Sequence, residues 1–125
     1  MAQSLIGQSC RDLTAWQNAM DFVMDVYRTT KTFPRNDHHG LAGQLRRAAV
    51  TIATNIAEGQ ARLSAGHFHF FLARARASLL EVETKLLMGQ TQAYFTPELG
   101  NQLLKNAADL RTELDGLIGA ISPAA

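Results

Sequence analysis

Apolar residues recur at steps of three and four along most of the chain, which is the spacing of a helix with one buried face. The pattern predicts four helices, over about residues 12–31, 36–58, 65–90 and 97–121. Each helix has one predicted core stripe, and the stripes in chain order are Leu13, Trp16, Met20, Val23 and Tyr27; Leu41, Leu45, Ala48, Ile52 and Ile56; Phe68, Phe71 or Leu72, Ala75, Leu79, Val82 and Leu86; and Leu99, Leu103, Ala107, Leu110, Leu114, Leu117 and Ile121.

The connections between these helices are short, and the three prolines fall only where a helix can begin or has ended. Long helices joined in this way alternate in direction. The sequence therefore predicts an all-α fold, an up-and-down antiparallel four-helix bundle over residues 12–121. It also predicts a flexible N-terminal tail over residues 1–11 and a C-terminal tail over residues 122–125.

Length and composition are those of one globular domain, with 125 residues, 46% hydrophobic and 18% charged. The longest uninterrupted apolar run is the four residues 70–73, so the sequence predicts no membrane-spanning helix. The single cysteine, Cys10, excludes an intramolecular disulfide, and the N-terminus has no basic flank leading into an apolar stretch. These features predict a cytoplasmic protein.

The net charge of +1 conceals an uneven distribution. Residues 38–80 contain five arginines against one acid, Glu58, which is a net +4, whereas the rest of the chain has seven bases and ten acids, a net −3. A basic surface of this kind can contact RNA or DNA without sequence preference, and Arg46, Arg62 and Arg76 are the candidates. The alternative is that these arginines pair with acids of other helices or of neighbouring subunits.

Two polar lines run along the second and third helices. One contains Arg47, Thr51, Asn55, Glu58 and Arg62, and the other contains Arg74, Ser78, Glu81 and Lys85. An antiparallel alignment puts Arg47 opposite Ser78, within one turn of Glu81. One interpretation is a buried structural network that fixes the register of the helices. The alternative is a groove for a ligand or nucleic acid. The candidate members of the network are Arg47, Asn55, Glu58, Arg74 and Glu81.

Two apolar residues of the third helix lie off its core stripe. Phe70 is two residues from Phe68, and a lone bundle would leave both Phe70 and Leu80 in water. Because exposed apolar patches usually mark an interface, these two residues are candidates for a contact between subunits.

Catalytic and metal-binding patterns are missing from the sequence. A di-iron bundle needs Glu-x-x-His on two helices, and none of the helical glutamates has a histidine three residues later. Cys10 has no histidine near it in sequence, and there is no glycine-rich phosphate loop. The sequence therefore predicts no catalytic residue, no metal and no cofactor.

The segment 44–59, QLRRAAVTIATNIAEG, resembles the signature of bacterial four-helix bundle proteins named after intervening sequences in the large-subunit ribosomal RNA gene. Trp16-Gln17, residues 27–34, residues 71–75 and residues 78–83 extend the resemblance over about 12–121, although Ala77 stands where the family usually has glycine. The resemblance implies a homo-oligomeric ring, commonly a pentamer. The same fold serves as the accessory protein of diversity-generating retroelements, which binds a reverse transcriptase and nucleic acid.

Taken together, these features predict a non-enzymatic, self-assembling bundle that acts as a scaffold or accessory protein and associates weakly with nucleic acid. A protein-interaction adaptor without nucleic-acid binding is one alternative. The other is an enzyme with a small pocket, which would need a deep polar cavity.

Overall fold

Four long helices make up most of the chain, as the hydrophobic pattern predicts. They are α1 (Thr14–Thr30), α2 (Leu41–Ala61), α3 (Ala65–Thr91) and α4 (Pro97–Ala120), and a 3-10 turn at Cys10–Asp12 precedes them. The computed structural model describes residues 5–7, 9–37 and 39–121, and these ranges contain no strand. The predicted fold class, an all-α four-helix bundle, is confirmed.

The helices follow one another around the bundle, each packed against the next, and α4 returns to α1. The contact between α2 and α3 is the most extensive of the four. On α3 the buried positions alternate steps of three and four along the whole helix, which is the core spacing of helices that pack knobs-into-holes. These positions are Ala65, Phe68, Leu72, Ala75, Leu79, Val82, Leu86 and Gly89.

The second helix begins later than the sequence predicts, because the residues before it form a turn. Gly40 adopts φ 62°, a left-handed conformation that costs glycine little and other residues more. Asp37 lies before this turn, and its Oδ2 accepts a hydrogen bond of 2.9 Å from the backbone N–H of Ala42. Asp37 therefore caps α2, as its residue type suggests, although it lies outside the helix and three residues before Gly40.

The core stripe predicted for the first helix is partly wrong. The large side chains of Trp16, Met20 and Tyr27 are only partly covered or exposed. The helix is instead turned so that smaller side chains and Phe22 face the core, and Leu99 of α4 is likewise more exposed than its stripe suggests. Alanine carries little apolar area, so a core line rich in alanine and threonine does not stand out in the sequence. The buried line of α1 is Ala15, Ala19, Phe22, Val23, Val26, Thr29 and Thr30.

A glycine sets the distance between α2 and α3 near their connection. A Cβ atom placed on Gly59 would lie 2.7 Å from Cβ of Phe71 and 3.3 Å from the carbonyl oxygen of Phe68. Side chains do not tolerate such a separation, so only glycine permits this approach. At the other end of the same pair of helices, a Cβ atom on Gly89 would lie 3.5 Å from Cδ2 of Leu41.

Part of the segment predicted as an N-terminal tail, residues 5–7, contacts the bundle. The backbone N–H of Gly7 donates to the carbonyl oxygen of Gln60 at 2.7 Å, and Nε2 of Gln60 donates to the carbonyl oxygen of Leu5 at 3.3 Å. Leu5 and Ile6 pack against the hydrophobic core. This docking differs from the predicted tail because the apolar pair and a buried glutamine anchor the segment. Residues 1–4, 8 and 122–125, which include the predicted C-terminal tail, lie outside the described residues.

Across the described ranges, none of the helices has both the length and the apolar character needed to cross a membrane.

Candidate assembly surfaces

The outward side of α3 carries a second repeat, of apolar residues and threonines, which we call the outer seam. Its positions are offset by two residues from the core positions, or about 200° around the helix, so the seam faces away from the core. Three large members, Phe70, Leu80 and Leu87, are 53%, 40% and 51% exposed. The exposure of Phe70 and Leu80 agrees with the sequence analysis. The seam consists of Phe70, Ala73, Ala77, Leu80, Thr84, Leu87 and Thr91, all exposed.

A second apolar surface lies between α1 and α2 and is concave. We call it the α1–α2 groove, a depression of about 390 Å³. Met24, which is 49% exposed, and Tyr27 continue the same apolar strip along α1. The sequence signal for this surface is the stripe of Trp16, Met20 and Tyr27, which helical spacing alone predicts to be part of the core. The groove is lined by Cys10, Trp16, Met20, Val23, Val50, Ala53, Thr54, Ala57 and Glu58.

The predicted buried network of Arg47 and Glu81 does not form within the chain. Both residues are exposed, and the Glu81 carboxylate pairs with Lys85 one turn away on its own helix. Helical spacing correctly placed the polar residues on one line, but that line faces outward. A pair one turn apart on the same helix contributes about 0.3–0.5 kcal/mol.

The other members of the proposed network are also held locally. Asn55 is buried, and its Nδ2 donates to the backbone carbonyl of Thr51 at 2.9 Å, within the same helix. Glu58 pairs with Arg62. Arg74 has no carboxylate partner among the described residues, and its guanidinium lies 5.7 Å from the centre of the Phe70 ring. The network interpretation is therefore wrong for the single chain.

The three arginines proposed to contact nucleic acid lie on different edges of the bundle. Arg46 lies between α1 and α2, where its Nε donates to Oγ1 of Thr30 at 2.7 Å and its guanidinium covers the ring of Tyr27 at 4.9 Å. These contacts tie Arg46 to the end of α1.

The other two arginines each pair with a carboxylate. Arg62, at the end of α2, lies 2.7 Å from Oε1 of Glu58. Arg76, on the side of α3 that faces α4, lies 2.6 Å from Oδ1 of Asp115. Together with Arg46, they do not converge on one patch. The alternative, pairing with an acid of another helix, holds for Arg76, whereas the partner of Arg62 lies one turn earlier in the same segment of chain.

The cleft between α1 and α4 is a polar groove with a volume of about 330 Å³. Asp21, Asp25, Asp109 and Glu113 line it, and Asn18 donates to Glu113 at 2.8 Å. The cleft is open to solvent between two helices. The alternative of an enzyme with a small pocket would need a deep polar cavity instead. Within the described part of the chain, no three His, Cys, Asp or Glu residues are grouped to hold a metal ion.

Formal charge divides the bundle into two sides. The helices α1 and α4 together carry three bases and six acids, a net −3, whereas α2 and α3 carry five bases and three acids, a net +2. The asymmetry seen in the sequence therefore survives folding, because the two basic helices are neighbours.

Two comparisons place this architecture among known proteins. The sequence model of one family, described as 23S rRNA-intervening sequence protein, matches residues 11–116. A crystal structure of a protein with unknown function from the S23 ribosomal protein family of Bacteroides thetaiotaomicron VPI-5482 superposes with a TM-score of 0.76. The two sequences are 20% identical, and the match covers 84% of this chain and 98% of that chain, so this likeness supports the fold. No curated protein matches the chain.

Proposed function

The chain belongs to the family of 23S rRNA-intervening sequence proteins, and from this premise we propose that it is a non-enzymatic scaffold or accessory protein that assembles with copies of itself. The observation that supports this proposal most is the outer seam, whose exposed positions repeat every seven residues along α3. Single exposed apolar residues are common on monomers, but a regular strip spanning several turns is typical of a helix that packs against another.

The resemblance to this family implies a ring, commonly of five subunits. Five chains of 13.7 kDa would have a mass of about 68 kDa. A ring of identical subunits would display five copies of any partner-binding surface, which raises the avidity for a repeated or large partner without new contacts.

Size-exclusion chromatography with light scattering tests this proposal. At micromolar concentration we expect one peak whose mass is a fixed multiple of 13.7 kDa. Leu80→Glu should lower the mass, because the charge would have to be buried in the contact. Leu99→Glu changes an apolar residue of comparable exposure on α4 and should leave the mass unchanged. A monomeric peak for the unmodified protein would contradict the proposal.

Nucleic acid is the second candidate partner, and the net charge of +2 on α2 and α3 favours it. Because Arg62 and Arg76 already pair with carboxylates, a phosphate would have to compete with these pairs. We therefore expect binding of about 1–100 μM at physiological salt, which is the range of non-specific contacts.

A titration with labelled single- and double-stranded oligonucleotides at about 50 mM salt tests this second candidate. Binding should weaken steeply with salt, with a log–log slope near −0.9 per phosphate neutralised on duplex DNA. Arg62→Ala should make the slope shallower, whereas Lys105→Ala on the acidic side should not change it. The absence of binding by the assembled protein would favour a protein-interaction adaptor.

A further inference from the structure

The two apolar surfaces differ in shape, and this difference determines what kind of assembly they can form. The outer seam is the convex side of one helix, whereas the α1–α2 groove is a concave valley between two helices. A contact between unlike surfaces of identical chains is heterologous, so every copy keeps one surface of each kind to offer to the next. Repetition of such a contact gives a ring when its rotation closes, which is the assembly that the family resemblance implies.

Whether the two surfaces match depends on which of their residues lie at the same height along the bundle, and contacts within the chain give these heights. Gly59 lies against Phe71, and Leu41 lies against Gly89, which fixes the antiparallel register of α2 and α3. The contacts of Arg46 with Thr30 and Tyr27 place the end of α1 beside the first turns of α2, to within about one turn. In a ring whose axis runs along the bundle, all copies stand at the same height. Residues that lie at the same height within one chain therefore also lie at the same height in neighbouring copies.

Along that common axis, the four seam residues Phe70, Ala73, Ala77 and Leu80 fall within about one turn, or 5.4 Å, of the exposed apolar side of α1. The small side chains Ala73 and Ala77 therefore come near the heights of the long side chains Met20 and Met24. Small residues opposite large ones let two surfaces interdigitate, as helices do when knobs fill holes. At the two ends of this stretch the pairs are Phe70 with Trp16 and Leu80 with Tyr27.

The charged residues beside the seam match the groove as well. The side of α3 that contacts α4 is marked by the ion pair of Arg76 with Asp115. The exposed residues Arg74 and Glu81 lie on the other flank of the seam, the one nearer to α2. Rotation about a common axis brings this side next to α2 of the neighbouring copy. There Glu81 comes within about 3 Å in height of Arg47, for which no carboxylate partner is found among the described residues.

The second charged pair follows the same logic. Arg74 comes within about 3 Å in height of Glu58 of the neighbouring copy. Glu58 uses only one carboxylate oxygen, Oε1, for its pair with Arg62, so Oε2 can accept a second bond. Opposite charges at both positions favour this docking direction over its reverse, which would bring like charges together.

We propose that the outer seam of α3 in one copy docks into the α1–α2 groove of the next, with Phe70 beside Trp16 and with Arg47 paired to Glu81 across the contact. The inference rests on the proposed self-assembly and adds to it the two surfaces, their direction and their register. The Arg47–Glu81 pair predicted within the chain would then form between chains.

Two variants that each block one surface test this docking. Ala77→Glu places a charge in the middle of the seam, and Met24→Glu places one on the α1 wall of the groove strip. Both positions are exposed, so each chain should keep its fold, which circular dichroism and urea unfolding will verify. Leu99→Glu, on α4, is the matched control and should assemble as the unmodified protein does.

Each blocked variant alone should be a monomer of 13.7 kDa. Mixed together, they retain one intact seam and one intact groove, so we expect a one-to-one pair of about 27 kDa that grows no further. At about 200 μM of each chain, a contact with a Kd near 100 μM fills about half of the pairs, which light scattering resolves.

The possible failures are distinguishable. An unmodified protein that stays monomeric at the same concentration contradicts the self-assembly itself. If the unmodified protein assembles but either variant still forms the full assembly, the blocked surface is not part of the contact and the docking is wrong. If the mixture stays monomeric although both variants are folded and the unmodified protein assembles, the seam and the groove do not bind each other.

Discussion

Phe68 and Phe70 provide the sharpest separation between the fold and the assembly, because they are two residues apart on one helix and face opposite directions. Phe68 is fully buried, whereas Phe70 is 53% exposed. Replacing each by alanine removes the same atoms from the chain. The two changes should therefore damage different properties of the protein.

The magnitude for Phe70→Ala follows from its exposed area. A phenylalanine of about 200 Å² that is 53% exposed can bury roughly 100 Å² more in a contact. At about 25 cal/mol per Å², this burial contributes about 2.5 kcal/mol, of which alanine would retain a small part. We expect a loss of about 2 kcal/mol for each contact, or roughly 30-fold in its dissociation constant.

Phe68→Ala should act on the single chain instead. Truncation of a fully buried phenylalanine costs about 3–5 kcal/mol of unfolding free energy, because it leaves a cavity in the core. Phe70→Ala should change the unfolding free energy of the dissociated chain by less than about 1 kcal/mol, since its lost contacts are mostly with solvent.

The assays are light scattering across a dilution series for assembly and urea unfolding of the dissociated chain for stability. The reasoning is refuted if Phe70→Ala dissociates at the same concentration as the unmodified protein. It is also refuted if Phe70→Ala lowers the unfolding free energy of the dissociated chain as much as Phe68→Ala does.

The remaining predictions concern helix packing and charge. In urea unfolding, Gly59→Ala should destabilise the chain by about 1–3 kcal/mol, because the new Cβ would lie 2.7 Å from Cβ of Phe71. Gly116→Ala, at a position with no neighbouring atoms within 4 Å, should instead stabilise the chain by roughly 0.5–1 kcal/mol. Equal effects would contradict the close approach. Arg47→Glu should lower the mass of the assembly in light scattering, and the double variant Arg47→Glu with Glu81→Arg should restore that mass. A double variant that does not assemble would argue against pairing of these residues between chains. Arg47→Ala should lower the unfolding free energy of the dissociated chain by less than about 1 kcal/mol, because Arg47 is exposed. A loss of several kcal/mol would support the buried network instead.

The hydrophobic pattern was sufficient to predict the four helices and the core stripes of α2 and α3. On these helices, large aliphatic residues such as Leu45, Ile52 and Leu79 occupy one face, and each is buried. On α1 the rule failed, because two lines compete for the core. The line with Trp16 and Met20 has the larger apolar area, but the line with Ala15 and Ala19 is the one that packs inside.

The candidate surfaces were predictable only in part. Phe70 and Leu80 stand out because they are large and off the stripe, but Ala73 and Ala77 attract no notice until their exposure completes the seam. Spacing alone placed the residues of the polar line on one side of α2. It could not show whether that side faces the bundle or the solvent, because this depends on how the helix is rotated against its neighbours.

Native mass spectrometry of the unmodified protein tests the central claim most directly, because it counts subunits. Heterologous contacts that close should give one dominant species with a fixed number of chains, and the family resemblance makes five the expected number, near 68 kDa. A spectrum containing only the 13.7 kDa chain at micromolar concentration would contradict self-assembly, and an unbroken ladder of increasing sizes would contradict a closed ring.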